Sequence, residues 1–201
     1  MRFTRLGIAI FAAAVVAGPL YTVPGYSAVG NLISELGAQN TPRNYLMSAA
    51  FVALGAAIVA DGLRDFHRPL APFMAFGLFM ALVGFFGHKP IDPAVPYATW
   101  AHTAHGALAT AAGIAITAGF AWQGVRQQYP GRRVVAASLA VASLALPLAM
   151  LSFPAYQGAI QRVMYLLVFS WIWACYPPRA HARALGRGHA LAQDTGPGAI
   201  R

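Results

Sequence analysis

The chain has 201 residues, of which 58% are hydrophobic and only 9% are charged, and its net charge is +9. Because soluble domains carry about 25% charged residues, this composition excludes an ordinary soluble domain and predicts an integral membrane protein. The arginine excess indicates cations retained on the cytoplasmic side of a membrane rather than binding of nucleic acid. The single cysteine, Cys175, excludes an intrachain disulfide.

Six apolar segments of about the length needed to cross a bilayer follow one another along the chain. We predict a membrane domain over residues 1–178 and a basic, disordered cytoplasmic tail over residues 179–201. A secretory signal peptide is the alternative for the first segment, but further spans follow it and no clean A-x-A cleavage site is present. The predicted spans are residues 6–24, 44–60, 70–87, 99–122, 134–152 and 159–176.

The positions of the positive charges predict the orientation. With a cytoplasmic N-terminus, 14 cations divide so that only Arg43, Lys89 and Arg162 lie on the extracytoplasmic side. Since Lys and Arg are retained in the cytoplasm, this division favours an all-α bundle of six transmembrane helices with both termini cytoplasmic. The predicted location is a bacterial-type cytoplasmic (inner) membrane.

Two connecting segments carry most of the remaining polar residues. Residues 25–43 predict a short helix that lies in the membrane interface and ends at Gly37. The segment His88–Gly106 holds three of the six histidines, and the spacing of His102 and His105 places both on one helix face.

Small residues at three- and four-residue spacing occur on the second and fourth spans. Such spacing lets helix backbones approach closely in lipid, so we predict that both faces pack against other helices. The residues are Ala49, Ala53, Ala56, Ala57, Ala60, Gly106, Ala109, Gly113 and Thr117.

The predicted topology collects polar side chains at the extracytoplasmic end of the bundle. We expect a pocket there that binds a lipid headgroup or a lipid-like ligand, with membrane lipids as partners. An arginine inside a span is costly unless it faces a partner or water, so Arg162 is expected to contact Glu35 or Asp92. The candidate ligand-binding residues are Asn31, Ser34, Glu35, His88, Asp92, His102, His105, Gln161 and Arg162.

Other interpretations stay open. His88, His102 and His105, with Glu35 or Asp92, are ligand types that suit zinc, which would indicate a metal-dependent membrane hydrolase acting on lipid. A purely structural ion pair at this end would instead indicate a structural or assembly subunit. A homo-oligomer or a membrane-protein partner is compatible with each interpretation.

An ordered set of motifs resembles a known family. The motifs NLISELGAQNTP (31–42), FGHKP (86–90), the histidine that opens the fourth span and GAIQR (158–162) resemble the 998 family of domains of unknown function. That resemblance implies six membrane helices and assigns no chemistry. More remotely, the pattern is similar to eukaryotic DRAM and Sfk-type membrane proteins, which include a factor in lipid remodelling of GPI anchors. The matching residues are Ile33, Ser34, Glu35, Leu36, Gly37, Pro42, His88, His102 or His105, Gly158 and Arg162, whereas Gln161 replaces an acidic residue.

Overall fold

The structure, a computed structural model, describes residues 2–64, 66 and 68–175. These residues form six α-helices and no strand, which confirms the all-α prediction. The predicted tail, 179–201, lies outside the described residues. The helices are α1 (Arg2–Tyr21), α2 (Tyr45–Arg64), α3 (Ala71–Val83), α4 (Thr99–Arg126), α5 (Pro130–Ser152) and α6 (Gln157–Cys175), with 3₁₀ turns at Ile33–Gly37, Arg68–Leu70 and Pro154–Tyr156.

The lengths of these helices suit a membrane protein. Among the described residues, α1, α2, α4 and α5 are long and apolar enough to cross a bilayer. The 19-residue helix α6 begins with polar Gln157, Gln161 and Arg162 in its first turns. The chain is an integral membrane protein built as a helical bundle.

Helix α3 has 13 residues, fewer than the roughly 20 that a straight span needs. The helix itself stops at Val83, short of the predicted span end at residue 87, and the next three N–H groups form tighter turns. The carbonyl of Phe86 is bonded to the ring of His105, and that of Gly87 to the amide of Gln39. After the helix ends, side chains from distant parts of the chain therefore hydrogen-bond the backbone carbonyls that no helix bond satisfies.

The helices pack in the order of the chain, and a looser contact between α1 and α6 closes the bundle. Phe11 of α1 lies at the centre of an aromatic cluster. Its ring is edge-on to Phe51, Tyr165 and Phe169, with centroids 5.2, 5.4 and 5.3 Å away. Close packing of this kind matters in lipid, where association of helices gains little from the hydrophobic effect.

Small residues allow α1, α2 and α3 to approach closely. This agrees with the close packing that the alanine pattern of α2 predicts. A Cβ placed on Gly7 of α1 would lie 2.9 Å from the Cβ of Ala57, and one on Gly55 would overlap the backbone of Gly77 and Ala81. The close backbone approach of α2 and α3 at Gly55 thus lies outside the alanine pattern.

The small face of α4 behaves differently. A Cβ added to Gly106 or Gly113 would have no atom within 4 Å. The prediction that this face packs tightly against another helix is therefore wrong at Gly106 and Gly113, whereas Thr117 contacts Ser143 of α5. The small residues instead leave space beside α4, and that space belongs to a cavity.

A buried polar contact joins the cytoplasmic ends of α1 and α2 in the predicted orientation. The side chain of Asp61 is fully buried, and its Oδ2 accepts the backbone N–H of Thr4 at 2.8 Å. A carboxylate at a helix N-terminus satisfies an otherwise unpaired donor and interacts favourably with the helix dipole.

Candidate functional site

The 3₁₀ turn Ile33–Gly37 is buried at one end of the bundle, and its polar groups are used locally. Glu35 is 8% exposed, and its Oε2 accepts the backbone N–H of Leu32 at 2.6 Å. The N–H of Ile33 donates to Oε1 of Gln161 at 2.6 Å. Glu35 therefore closes the turn, and Gln161 joins the turn to α6.

Arg162 joins the preceding loop to the start of α6. Its Nη1 donates to the carbonyls of Ala28, Asn31 and Gly158 at 2.7, 3.1 and 2.9 Å. Its Nη2 donates to the hydroxyl of Tyr26 at 2.6 Å. The pKa of Tyr26 is raised above its usual value mainly because the ring is buried, and the bond from Arg162 opposes this rise.

The expected ion pair between Arg162 and Glu35 or Asp92 is wrong, because every hydrogen-bond partner of Arg162 among the described residues is neutral. Asp92 is exposed, and its Oδ1 accepts the N–H of Ala94 at 2.9 Å, as an aspartate commonly does in a turn. Asn31 likewise accepts a backbone N–H within its own loop, that of Ser27.

Three histidines converge above the end of α3 and form what we call the histidine cluster: His88, His102 and His105. The ring of His88 lies edge-on to those of His102 and His105, with centroids 4.6 and 5.4 Å away. His102 and His105 share one face of α4, as their spacing predicts. His88 reaches them because the loop after α3 turns back over the helix end.

Backbone groups orient all three rings. Nδ1 of His88 lies 3.0 Å from the carbonyl of Lys89, and Nδ1 of His105 lies 2.6 Å from the carbonyl of Phe86. A carbonyl can only accept, so in both rings Nδ1 carries the proton and Nε2 carries the lone pair when the ring is neutral. Nδ1 of His102 accepts the N–H of Lys89 at 3.3 Å, so its Nε2 is the donor.

Burial keeps His88 uncharged at neutral pH. Its side chain is 9% exposed, and this burial lowers its pKa from 6.5 to about 4. The bond to the Lys89 carbonyl acts in the opposite direction, while the neighbouring histidines and the Lys89 ammonium add to the lowering. The cluster therefore includes a neutral imidazole with both hydrogen-bonding functions defined.

Gln39 holds the loop that carries His88 in place, and sequence reasoning missed it. Its Nε2 donates to the carbonyls of Gly87 and Ala98 at 2.8 and 3.2 Å, and its Oε1 accepts the N–H of Ala98 at 2.9 Å. Its own N–H donates to the carbonyl of His88 at 2.9 Å. These partners are far from Gln39 in the sequence, so no local spacing signals them.

A cavity of about 610 Å³, which we call the central cavity, opens beside the histidine cluster between α4, α5 and α6. From His102 to Thr117 the cavity follows α4 for about 22 Å, at 1.5 Å per residue. Five of the sequence-predicted residues line it near the starts of α4 and α6. They are Ser34, His88, His102, His105 and Gln161.

The rest of the cavity wall is apolar in effect. Thr110 donates to the carbonyl of Gly106 at 2.9 Å, as hydroxyls on helices often do four residues back. Thr117 and Ser143 are 2.7 Å apart and each also bonds a nearby carbonyl on its own helix. These three hydroxyls are therefore satisfied within the helices, whereas the polar groups of the histidine end face the space.

Helix α6 separates this cavity from a second one. A groove of about 570 Å³ lies between α1 and α6, and Arg162 lines it. The predicted single pocket is thus divided, because Gln161 lines the central cavity and the following Arg162 lines the groove, with Tyr165 at the wall of both. Among the described residues, Asn31, Glu35 and Asp92 line neither space.

The arrangement of the histidine cluster can be compared with the requirements of a zinc site. In the part of the chain that the structure describes, no group of three or more His, Cys, Asp or Glu side chains is arranged to hold a metal ion. The three rings are neighbours, but His88 and His105 meet edge-on rather than around a common point. Zinc ligation by His88, His102 and His105 stays a prediction.

Comparisons with known proteins give one match. Residues 6–175 match a family model described as "Protein of unknown function (DUF998)". No curated protein and no solved structure matches the chain.

Proposed function

The chain belongs to the DUF998 family of proteins of unknown function, and from that premise we propose that it binds a lipid or lipid-like amphiphile in the central cavity. The polar head of the ligand lies against the histidine cluster, with Ser34 and Gln161 beside it. The apolar part lies along α4, α5 and α6.

One observation carries this proposal: the cavity is polar at one end and apolar along the rest of its length. Its volume of about 610 Å³ falls within the roughly 300–1,000 Å³ of small-molecule sites. A water-filled cavity would leave apolar walls wet, and a wholly apolar ligand would leave the imidazoles without partners. An amphiphile satisfies both ends.

The orientation of the rings favours a head that carries hydroxyl groups. Nε2 of His88 and of His105 accept hydrogen bonds when neutral, because their Nδ1 protons point at backbone carbonyls. Two neutral acceptors suit a donor such as a lipid alcohol better than a phosphate, which offers only acceptors. Lys89, the nearest cation, is exposed rather than part of the cavity lining.

The proposal includes six membrane crossings with cytoplasmic termini in a bacterial-type inner membrane. Four helices have the length and composition to cross alone. The short α3 crosses together with the turns that follow it, whose backbone is bonded by Gln39 and His105. Irregular backbone at membrane depth is tolerated where protein satisfies it or where it lines a cavity.

A pair of matched variants tests ligand binding. Ala109 lines the cavity, whereas Ala107 lies on α4 away from it, and both are exposed. Purified protein is extracted, and the bound lipids are counted per chain by mass spectrometry. We expect Ala109→Trp to retain at least about tenfold less ligand than the wild type, equivalent to about 1.4 kcal/mol, and Ala107→Trp to retain the wild-type amount. Equal retention in both variants would contradict the proposal.

The same preparations separate the alternatives. Stoichiometric zinc in the wild type that is lost in His102→Gln and His105→Gln would favour a metal-dependent membrane hydrolase acting on lipid. A wild-type protein with no bound amphiphile, unchanged by either tryptophan variant, would favour a structural or assembly subunit.

A further inference from the structure

The groove between α1 and α6 has a different chemistry from the central cavity. Along α6, the residues that face it recur at helical spacing from Arg162 to Trp173, a distance of about 16 Å at 1.5 Å per residue. Half of a hydrocarbon core of about 30 Å is nearly the same length. The groove is therefore about as long as an acyl chain that fills one leaflet, and it ends near the far end of α6, where Arg5 contacts Trp173.

The lining has one charged residue among the described positions. Arg162 lies at one end, and apolar side chains such as Val15, Val16 and Leu166 form the wall between the helices. The backbones of the two helices have few contacts along this side, and the helices meet through the rings of Phe11, Tyr165 and Phe169, which line the groove. The groove therefore opens toward the lipid, with a cation at its extracytoplasmic end.

The charge of Arg162 is solvated but not neutralised. Its four acceptors among the described residues are three carbonyls and one hydroxyl. A guanidinium has five N–H donors in a planar fork, and these bonds leave the Nε–H and one Nη2–H available. A half-buried cation near the membrane interface is stabilised most by an anion that accepts two such bonds.

We propose that this groove is a second lipid site, which binds an anionic phospholipid with its phosphate against Arg162 and one acyl chain between α1 and α6. It differs from the site of the proposed function, because Gln161 lines the central cavity and Arg162 lines the groove, and among the described residues only Tyr165 lines both. Charge complementarity selects the headgroup, and the apolar groove holds the chain.

The test compares phosphatidylglycerol with phosphatidylcholine of the same acyl chains, by native mass spectrometry of the purified full-length protein. We expect the wild type to bind the anionic lipid about tenfold more tightly, which corresponds to one charge-assisted hydrogen bond. Arg162→Gln should lose this preference, and Arg162→Lys should keep part of it. Cytoplasmic arginines bind anionic lipid non-specifically in every variant, so the difference between variants is the measured quantity.

A second variant does not disturb the hydrogen bonds of Arg162. Ala12 lines the groove, whereas its neighbour Ala13 does not, and both are exposed on α1. We expect Ala12→Trp to weaken the binding of phosphatidylglycerol about tenfold, with Ala13→Trp unchanged. Equal affinity for both lipids in the wild type, or equal affinities in Ala12→Trp and Ala13→Trp, would overturn the proposal.

The proposals for the two lipid sites can be tested independently of each other. Ala109→Trp, which fills the central cavity, should leave the preference for phosphatidylglycerol intact, and Ala12→Trp should leave the ligand of the central cavity in place. If Ala109→Trp alone removed the preference for the anionic lipid, the Arg162 site would be wrong and the central cavity would be the anionic lipid site.

Discussion

Single side chains at the end of the bundle near the histidine cluster act mainly on the backbone. Arg162, Gln161 and Glu35 each bond groups of the loop or turn before α2. Gly158 permits this contact, because a Cβ there would overlap the carbonyl of Asn31. The GAIQR motif is therefore a docking sequence for the ISELG segment, and its polar residues are held rigidly where the cavity and the groove begin.

Histidine titration gives a prediction for His88. Its folded-state pKa of about 4 lies below the unfolded value of 6.5, so the unfolded chain takes up a proton first as the pH falls. Folding stability is then full above about pH 7 and decreases as the pH falls toward 4, by about 3 kcal/mol if this shift acts alone. We expect thermal unfolding in detergent to show this slope, and His88→Gln to flatten it.

The matched control is His102→Gln, whose ring is in the same cluster but more exposed. His102, His105 and Lys89 all lie beside His88, so the wild-type slope is shared among neighbours and only the difference between variants is assigned. The assignment to His88 is wrong if both variants flatten the curve equally.

The boundaries of a helix can be predicted from the sequence where the length of an apolar run determines them. The predicted starts or ends of α2, α4, α5 and α6 lie within a few residues of the observed ones, since runs of apolar residues mark the part of a helix that crosses lipid. The end of α3 could not be predicted in this way. Phe85 and Phe86 are as apolar as the helix before them, but the helix ends at its C-cap Gly84, and His105 and Gln39 bond the backbone carbonyls that follow.

The conformation of the loop from Gly84 to Ala98 depends on the side chain of Gln39, which bonds it at Gly87 and Ala98. Gln39→Leu keeps the side-chain size but leaves the carbonyl of Gly87 and the N–H of Ala98 without their present partner, whereas the carbonyl of Ala98 still accepts the N–H of His102. An unpaired buried polar group costs about 1–3 kcal/mol, and these two groups are half-buried, so we expect a loss of about 2 kcal/mol in unfolding free energy. Denaturation of purified protein in detergent measures it.

The control for this loop is Gln128→Leu, which alters an exposed glutamine in the α4–α5 connection and should change stability by less than about 0.5 kcal/mol. Gln39→Leu should also loosen the ligand of the central cavity, because His88 is held by the same loop. A stable Gln39→Leu protein would show that water or lipid replaces the amide.

In the folded molecule, the polar residues that were predicted to form one pocket are divided between the central cavity and the groove. The sequence could not indicate this division. Ser34, Gln161 and the three histidines were predicted as one group with Arg162, and the spacing of Gln161 and Arg162 gave no reason to separate them. In the folded chain, successive residues on α6 point about 100° apart, which is enough to face different spaces when α1 and α4 lie on opposite sides. Side-chain direction on a helix depends on its neighbours, and neighbours are a property of the assembled bundle.

The same bundle predicts on which side of the membrane each site lies. Residues Ala94 and Gln128 are exposed in the connections before and after α4. Between them, the 28 residues of α4 extend about 42 Å, more than the roughly 30 Å of a hydrocarbon core. We therefore expect the two connections to face opposite sides, with Ala94 outside, because arginines such as those that follow α4 are enriched in cytoplasmic loops.

Thiol labelling in intact cells checks this arrangement. In a Cys175→Ser background, which removes the single native thiol, an impermeant reagent should label Ala94→Cys and should reach Gln128→Cys only after the membrane is permeabilised. Labelling of both in intact cells would place the ends of α4 on one side. The helix would then lie along the membrane rather than cross it, and the histidine cluster at its start could not form the outer end of a cavity that follows its length.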